Sequence, residues 1–175
     1  MSEESFSLER SIEILERTPR TVRAMLEGLS DEWTEGGSET DWAPFDILGH
    51  LIHGELTDWI PRAEIILAQA DDRRFVPFDR RAQFENSKAK SLAILLDEFD
   101  ETRRASLATL RGWSLTEEQL QLKGIHPEFG EVTLAEMIAA WVTHDLSHIS
   151  QIAVFMARKY TSAVGPWREY MSILK

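Results

Sequence analysis

The sequence predicts an all-α chain, an antiparallel bundle of four long helices over residues 1–175 as one domain. Three observations predict it. Four stretches carry apolar residues at intervals of three and four, the mark of a helix with one buried face. No stretch alternates apolar and polar residues for more than a few positions, so no substantial sheet is expected. The stretches are joined by short connections, and long helices so joined make an antiparallel bundle the default packing.

The first helix is expected from about Ser7 to Gly28, with Leu8, Ile12, Leu15, Val22, Met25 and Leu26 along its stripe. Pro19 falls inside it and predicts a kink or a shift of the stripe. Residues 31–41 are polar, contain Gly36-Gly37 and read as a loop. The second helix should begin near Pro44, a residue suited to the first turn, with Asp46 placed to favour the positive end of the helix dipole. Its stripe continues to about Ala70, with a bend expected at Pro61. Residues 71–86 read as a charged connection. Phe75, Val76, Pro77 and Phe78 within it suggest that it is pinned to the bundle.

The third helix is expected from about Ser87 to Leu110, with Gly112 just past its end. Ser114-Leu-Thr-Glu117 has the form of a capping box for one short helix, and Lys123 to Glu131 reads as a loop. Thr133-Leu-Ala-Glu136 is a second capping box and opens the fourth long helix, to about Tyr160. A short helix from Pro166 to Leu174 closes the chain.

Composition narrows the function classes. The chain has 175 residues, a net charge of −11 and no cysteine. Disulfides, thiolate nucleophiles and cysteine-ligated zinc are thereby excluded. The negative balance, with basic residues scattered rather than in a stripe, argues against nucleic acid as a partner. No apolar run is long enough to span a bilayer, so no membrane partner is expected. Met1 to Ser5 are acidic and lack the pattern of a signal peptide, so the cytoplasm is the expected compartment.

Any metal must then be held by imidazole or carboxylate. The five histidines stand at 50, 53, 126, 144 and 148. His144 and His148 lie one turn apart on one helical face, within the stripe Met137, Trp141, His144, His148, Ile152 and Phe155. Two imidazoles there replace two core side chains. A hydrogen-bonded core pair and a pair of metal ligands both remain open on that spacing. His50 favours the metal. It lies mid-way along the second helix among core residues, with Gly54 and Thr57 following on its face and leaving room for a pocket. Three neutral imidazoles from two helices would make a site with an open position for water.

His53 lies about 60° round from His50 and reads as exposed or supporting rather than ligating. His126, in the 123–131 loop, is expected at the surface, with the pocket mouth as the alternative. Asp145 should point away from the ion and make a surface or interhelix contact. Glu55 could turn towards the pocket as a base or outer partner. No Glu-x-x-His, His-Glu-x-x-His, phosphate loop or Gly-x-Ser-x-Gly elbow occurs, so di-iron, zincin-type and serine-hydrolase readings lack their motifs.

Three segments together resemble a known family. They are Trp42-Ala-Pro-Phe-Asp-Ile-Leu-Gly-His50-Leu, His126-Pro-Glu-Phe-Gly-Glu-Val-Thr-Leu and Trp141-Val-Thr-His144-Asp-Leu-Ser-His148-Ile-Ser-Gln151-Ile. With the closing Val164-Gly-Pro-Trp-Arg-Glu-Tyr170, they are similar to the DinB-like superfamily. The resemblance implies an up-down-down-up four-helix bundle and a tri-histidine metal site on His50, His144 and His148. It implies zinc or nickel as the ion, and commonly a homodimer. It also implies an activity among thiol S-transferases using bacillithiol or mycothiol, or mycothiol-dependent maleylpyruvate isomerase. One departure is Ala43, where a Ser or Thr often caps the second helix, which should cost about 1 kcal/mol locally.

The expected function is therefore a metal-dependent transferase, taking a small-molecule thiol and an electrophile. A metal-dependent hydrolase and a non-catalytic metal-binding bundle linked to stress response are the alternatives, and a metal-free interaction module is a further one.

Overall fold

The computed structural model describes residues 6–175, so the acidic opening residues Met1 to Ser5 lie outside the described residues. Helix α1 spans Leu8–Leu26, and the Ser7 hydroxyl accepts the Arg10 N–H at its start. The helix runs through Pro19 without interruption. Proline there has no N–H for the Leu15 carbonyl, and Arg103 supplies the missing donor, Nη1 to Leu15 O at 2.7 Å.

The polar segment that follows holds one turn of helix, α2 (Asp31–Thr34). The expected second helix is two helices, α3 (Pro44–Thr57) and α4 (Trp59–Ala68). They part at Asp58, with φ −116° and ψ −69°. The break falls three residues before Pro61 because a proline ring clashes with the carbonyl four residues earlier, here that of Thr57. At the start of α3, Ala43 offers no capping oxygen, but Asp46 reaches back and accepts the Ala43 N–H at 3.1 Å.

The 71–86 connection is only partly a loop, since it leads into α5 (Ala82–Ser87). Phe75 is pinned as expected and buried, whereas Val76 is exposed. Helix α6 spans Leu92–Gly112, capped by Ser91, so it starts later than the stripe suggests and takes Gly112 in as its last residue. In the next turn, α7 (Glu117–Leu120), the capping box is formed by Thr116 and Gln119 rather than by Ser114 and Glu117.

The expected 123–131 loop is a small antiparallel hairpin, β1 (Lys123–His126) and β2 (Gly130–Thr133), with His126 opposite Gly130. Gly130 takes φ +74° at the turn, where a side chain would be strained. The hairpin is locked to the preceding connection by Phe75 N–H to Ile125 O and Ile125 N–H to Arg73 O, both 2.9 Å. A hairpin of four-residue strands is too short to show an alternation in sequence. Helix α8 (Leu134–Arg158) opens on the Thr133–Glu136 capping box as expected. The closing segment forms two 3-10 turns, Gly165–Tyr170 and Ser172–Leu174, instead of one helix.

Helices α1 and α3 each pack against both α6 and α8, so they lie diagonally across a four-helix bundle. The interior has two apolar clusters. One gathers Leu15, Ile66, Phe75, Leu107, Leu134 and Trp141; the other gathers Val22, Ile47, Leu51, Leu95, Phe99 and Ile152. Glu55, Arg103 and Asp145, all buried, stand between the sequence positions of these clusters and form a polar layer at mid-bundle. No helix among the described residues is long and apolar enough to cross a membrane.

Candidate metal centre

Helices α3 and α8 bring His50, His144 and His148 together. His144 Nε2 lies 3.0 Å from His50 Nε2 and 3.1 Å from His148 Nε2, and the three potential ligand atoms all lie within 4.8 Å of one another. A tetrahedral ion with nitrogen at about 2.0–2.1 Å would separate its ligand atoms by roughly 3.3 Å. Both close contacts are near that spacing.

The protons show why a cation fits. His148 Nδ1–H donates to Gln151 Oε1 at 2.9 Å, which leaves its Nε2 as a lone pair facing the cluster. His144 Nε2 touches both other rings but carries at most one proton, and holds a lone pair only without it. Three neutral rings can therefore turn only one of the two contacts into a hydrogen bond. His50 Nδ1 and His144 Nδ1 are also buried without a hydrogen-bond partner. A cation at the point of convergence would satisfy three lone pairs at once, and an all-imidazole donor set suits a divalent transition-metal ion.

Two of the rings, His50 and His148, are kept neutral by their surroundings. Burial, then the nearby His148 and His144, push the His50 ring down to about 2. Burial and then His144 push His148 down to about 4. Aromatic walls fix the ring orientations. Trp42 lies 5.0 Å from His50 and stacks on His148 at 6.4 Å; Trp59 meets His144 edge-on at 5.2 Å; Phe78 meets His50 edge-on at 5.4 Å.

The triad lines a cavity of about 600 Å³ that is open to solvent. Gly54 lines it as the sequence suggests, while Thr57 is exposed and does not. A Cβ on Gly54 would come within 3.2 Å of Trp59 Nε1, so the glycine gives the indole its place. His126 lines the cavity, taking the pocket-mouth position, with Nδ1 accepting the Glu128 and Phe129 N–H groups. His53 lies outside the triad, packed on Phe78 at 4.8 Å.

Glu55 does not face the cavity. Its Oε1 accepts Arg103 Nη2 at 2.7 Å and Trp141 Nε1 at 3.1 Å in the buried layer. Asp145 makes an interhelix contact, accepting Arg103 Nη1 at 2.6 Å and Nη2 at 3.1 Å. Its Oδ1 lies 4.0 Å from His144 Nδ1. Burial pushes the Asp145 carboxyl up, but Arg103 together with His144 and Thr18 outweighs it and holds the group below the usual carboxylate range. At Glu55 burial wins over Arg103, and the carboxyl is raised.

Sequence reasoning missed an ion pair and, among the described residues, a lone guanidinium on the cavity wall. One is Asp58, at the α3–α4 break, with Arg62; Arg62 Nε is 2.7 Å from Asp58 Oδ1. Burial raises the Asp58 carboxyl against the pull of Arg62. The other is Arg80, from the long connection. The i, i+4 spacing of Asp58 and Arg62 and the proline at 61 were the available signals for the first. Nothing local marks Arg80.

The family model described as the DinB superfamily matches residues 14–152, a span that includes all three histidines of the triad. Among solved structures, the chain is similar to YfiT from Bacillus subtilis, described as a probable metal-dependent hydrolase with an unusual four-helix bundle topology. The identity is 24%, the TM-score is 0.75, and the match covers 91% of this chain and 93% of that one. At this identity the likeness establishes the fold. No curated protein matches. With its family match running from α1 into α8 and its bundle superposing on that of YfiT, the chain belongs to the DinB superfamily.

Proposed function

We propose that this protein is a metal-dependent enzyme that transfers a low-molecular-weight thiol to an electrophile. The observation that carries the reading is the convergence of three imidazole nitrogens on the wall of an open cavity of about 600 Å³. His50, His144 and His148 would hold the ion, zinc or nickel. A divalent ion in that place supplies Lewis acidity and lowers the pKa of a thiol or water that it binds.

The chain contains no cysteine, so a sulfur nucleophile must come from the substrate. In the transfer, sulfur loses its proton, a bond forms between sulfur and the electrophilic carbon, and the bond to the leaving group breaks. The proton leaves with that group. The protein's residues orient and shield. Trp42, Trp59 and Phe78 pack against the rings and orient them, Gln151 holds the tautomer of His148, and Asp58 offers a carboxylate on the cavity wall.

A hydrolase is the second reading, favoured by the likeness to YfiT and by the room for water in the same cavity. One experiment separates the two. Metal-loaded protein is assayed with chlorodinitrobenzene and bimane electrophiles in the presence of cysteine, and with ester and amide substrates without thiol. Thiol-dependent product that disappears in His148→Ala supports the transferase. Thiol-independent hydrolysis that disappears in the same variant supports the second reading. No turnover in either arm leaves a non-catalytic metal-binding bundle and overturns both.

A further inference from the structure

The cavity beside the triad is lined by two guanidinium groups, and they are not equivalent. Arg62 is spoken for. Its Nε lies 2.7 Å from Asp58 Oδ1, its Nη2 donates to the Val76 carbonyl at 3.3 Å, and its plane sits 5.1 Å from the Phe75 ring centre. The buried carboxylate beside it cancels its charge towards any ligand. Arg80 lines the same cavity, is exposed, and has no hydrogen-bond or ion-pair partner among the described residues.

That lack of a partner contrasts with its neighbour. Arg81 makes a two-pronged contact with Glu39, at 2.8 and 2.6 Å. The chain carries 30 acidic against 19 basic side chains, so acidic partners are plentiful. Phe78, two residues earlier in the chain and lining the same cavity, is wedged edge-on against His50 at 5.4 Å and packed on His53 at 4.8 Å. Glu128, the acidic residue of the hairpin turn that also lines the cavity, forms no ion pair with Arg80.

We propose that Arg80 is the anion receptor of this cavity, and that the molecule admitted carries a carboxylate at the end remote from its reacting group. A guanidinium fork matches a carboxylate with two parallel hydrogen bonds. The overall charge of −11 would repel such a molecule elsewhere on the surface. Arg80 therefore selects acidic ligands over neutral ones of similar size. The proposal deepens the reading of the site given above, and rests on it only for the identity of the reacting end.

The test is a binding titration followed by tryptophan fluorescence, since Trp42 and Trp59 line the cavity. The probes are 3-mercaptopropionate, 2-mercaptoethanol and the thiol-free dicarboxylate glutarate, each against metal-loaded protein. Arg80→Gln removes an exposed side chain without protein partners, so folding is unaffected. In that variant the two acids should lose about tenfold in affinity while 2-mercaptoethanol is unchanged. Arg80→Lys, which keeps charge but not the fork, should recover part of the loss.

If glutarate binds through Arg80 and neither thiol does, the anion receptor stands and the thiol reading falls. If both thiols bind alike and Arg80→Gln weakens none of the probes, the anion receptor falls and the thiol reading stands. Absence of binding by all three overturns both.

Discussion

Arg103 takes the hydrogen-bonding position that Pro19 cannot fill. Pro19 has no N–H for the Leu15 carbonyl, and Arg103 Nη1 donates to that oxygen at 2.7 Å from the facing helix. The same guanidinium binds Asp145 at 2.6 Å and Glu55 at 2.7 Å, so one buried cation ties α1, α3, α6 and α8 together. Removing one partner from a buried charge cluster strands the others, at a cost of about 3–5 kcal/mol. Arg103→Met should therefore lower the unfolding free energy by about that amount. Urea denaturation of the two proteins checks this; a loss below about 1 kcal/mol would show that the cluster is not a structural tie.

Elemental analysis of protein purified without a histidine tag tests the triad directly. The wild type should retain close to one zinc or nickel per chain, and His148→Ala and His50→Ala should lose it. His53→Ala should keep the metal, because His53 lies outside the convergence and packs on Phe78. His126→Ala should keep it too, since that ring stands at the rim. Metal retained by His148→Ala would remove the triad as the binding site.

Acid should destabilise the metal-free protein through the same rings. In the folded state His50 is pushed down to about 2 and His148 to about 4, chiefly by burial. In the unfolded chain both protonate near 6.5. Below that pH the unfolded state binds more protons, so the contribution of the two rings is fully present above about 6.5 and is lost as pH falls, down to about 4 for His148 and about 2 for His50. Urea midpoints of metal-stripped wild type should drop more steeply from pH 7.5 to 5 than those of His50→Gln/His148→Gln. Parallel curves would mean that the folded rings titrate normally.

Gly124 should tolerate no side chain. A Cβ there would meet Phe75 Cε1 at 2.5 Å and Ile66 Cγ1 at 2.9 Å, both from the apolar cluster beneath the hairpin. Gly124→Ala should lower stability by about 1–3 kcal/mol through overpacking. Thermal unfolding measures it, and an unchanged melting temperature would contradict the close packing of β1 on Phe75.

Much of the fold was legible because long helices repeat their signal many times. The fourth helix carries both a capping box and a stripe that repeats from Met137 to Phe155, and it begins where the sequence places it, at Thr133–Leu134. The breaks were less legible. Pro61 announces a disturbance, but the clash acts four residues upstream, so the chain turns at Asp58 rather than at the proline. The hairpin was missed because its strands span four residues each, and Gly124 and Ile125 are held by Phe75 and Arg73 from fifty residues away. Sequence alone leaves Glu55 a candidate for the pocket, whereas Arg103 and Trp141 hold it in the core.

By itself, the sequence determined the all-helical class, the absence of any cysteine chemistry, and the pairing of His144 with His148. These depend on residue type and on spacing within one helix, which local geometry fixes. Only the tertiary structure decided that His50 meets that pair, that Asp145 turns to Arg103, and that Asp58, Arg62 and Arg80 share the cavity with the triad. Those relationships join side chains from different elements. They follow from how α3, α8 and the long connection pack, a cooperative outcome of burying two apolar clusters around one charged layer.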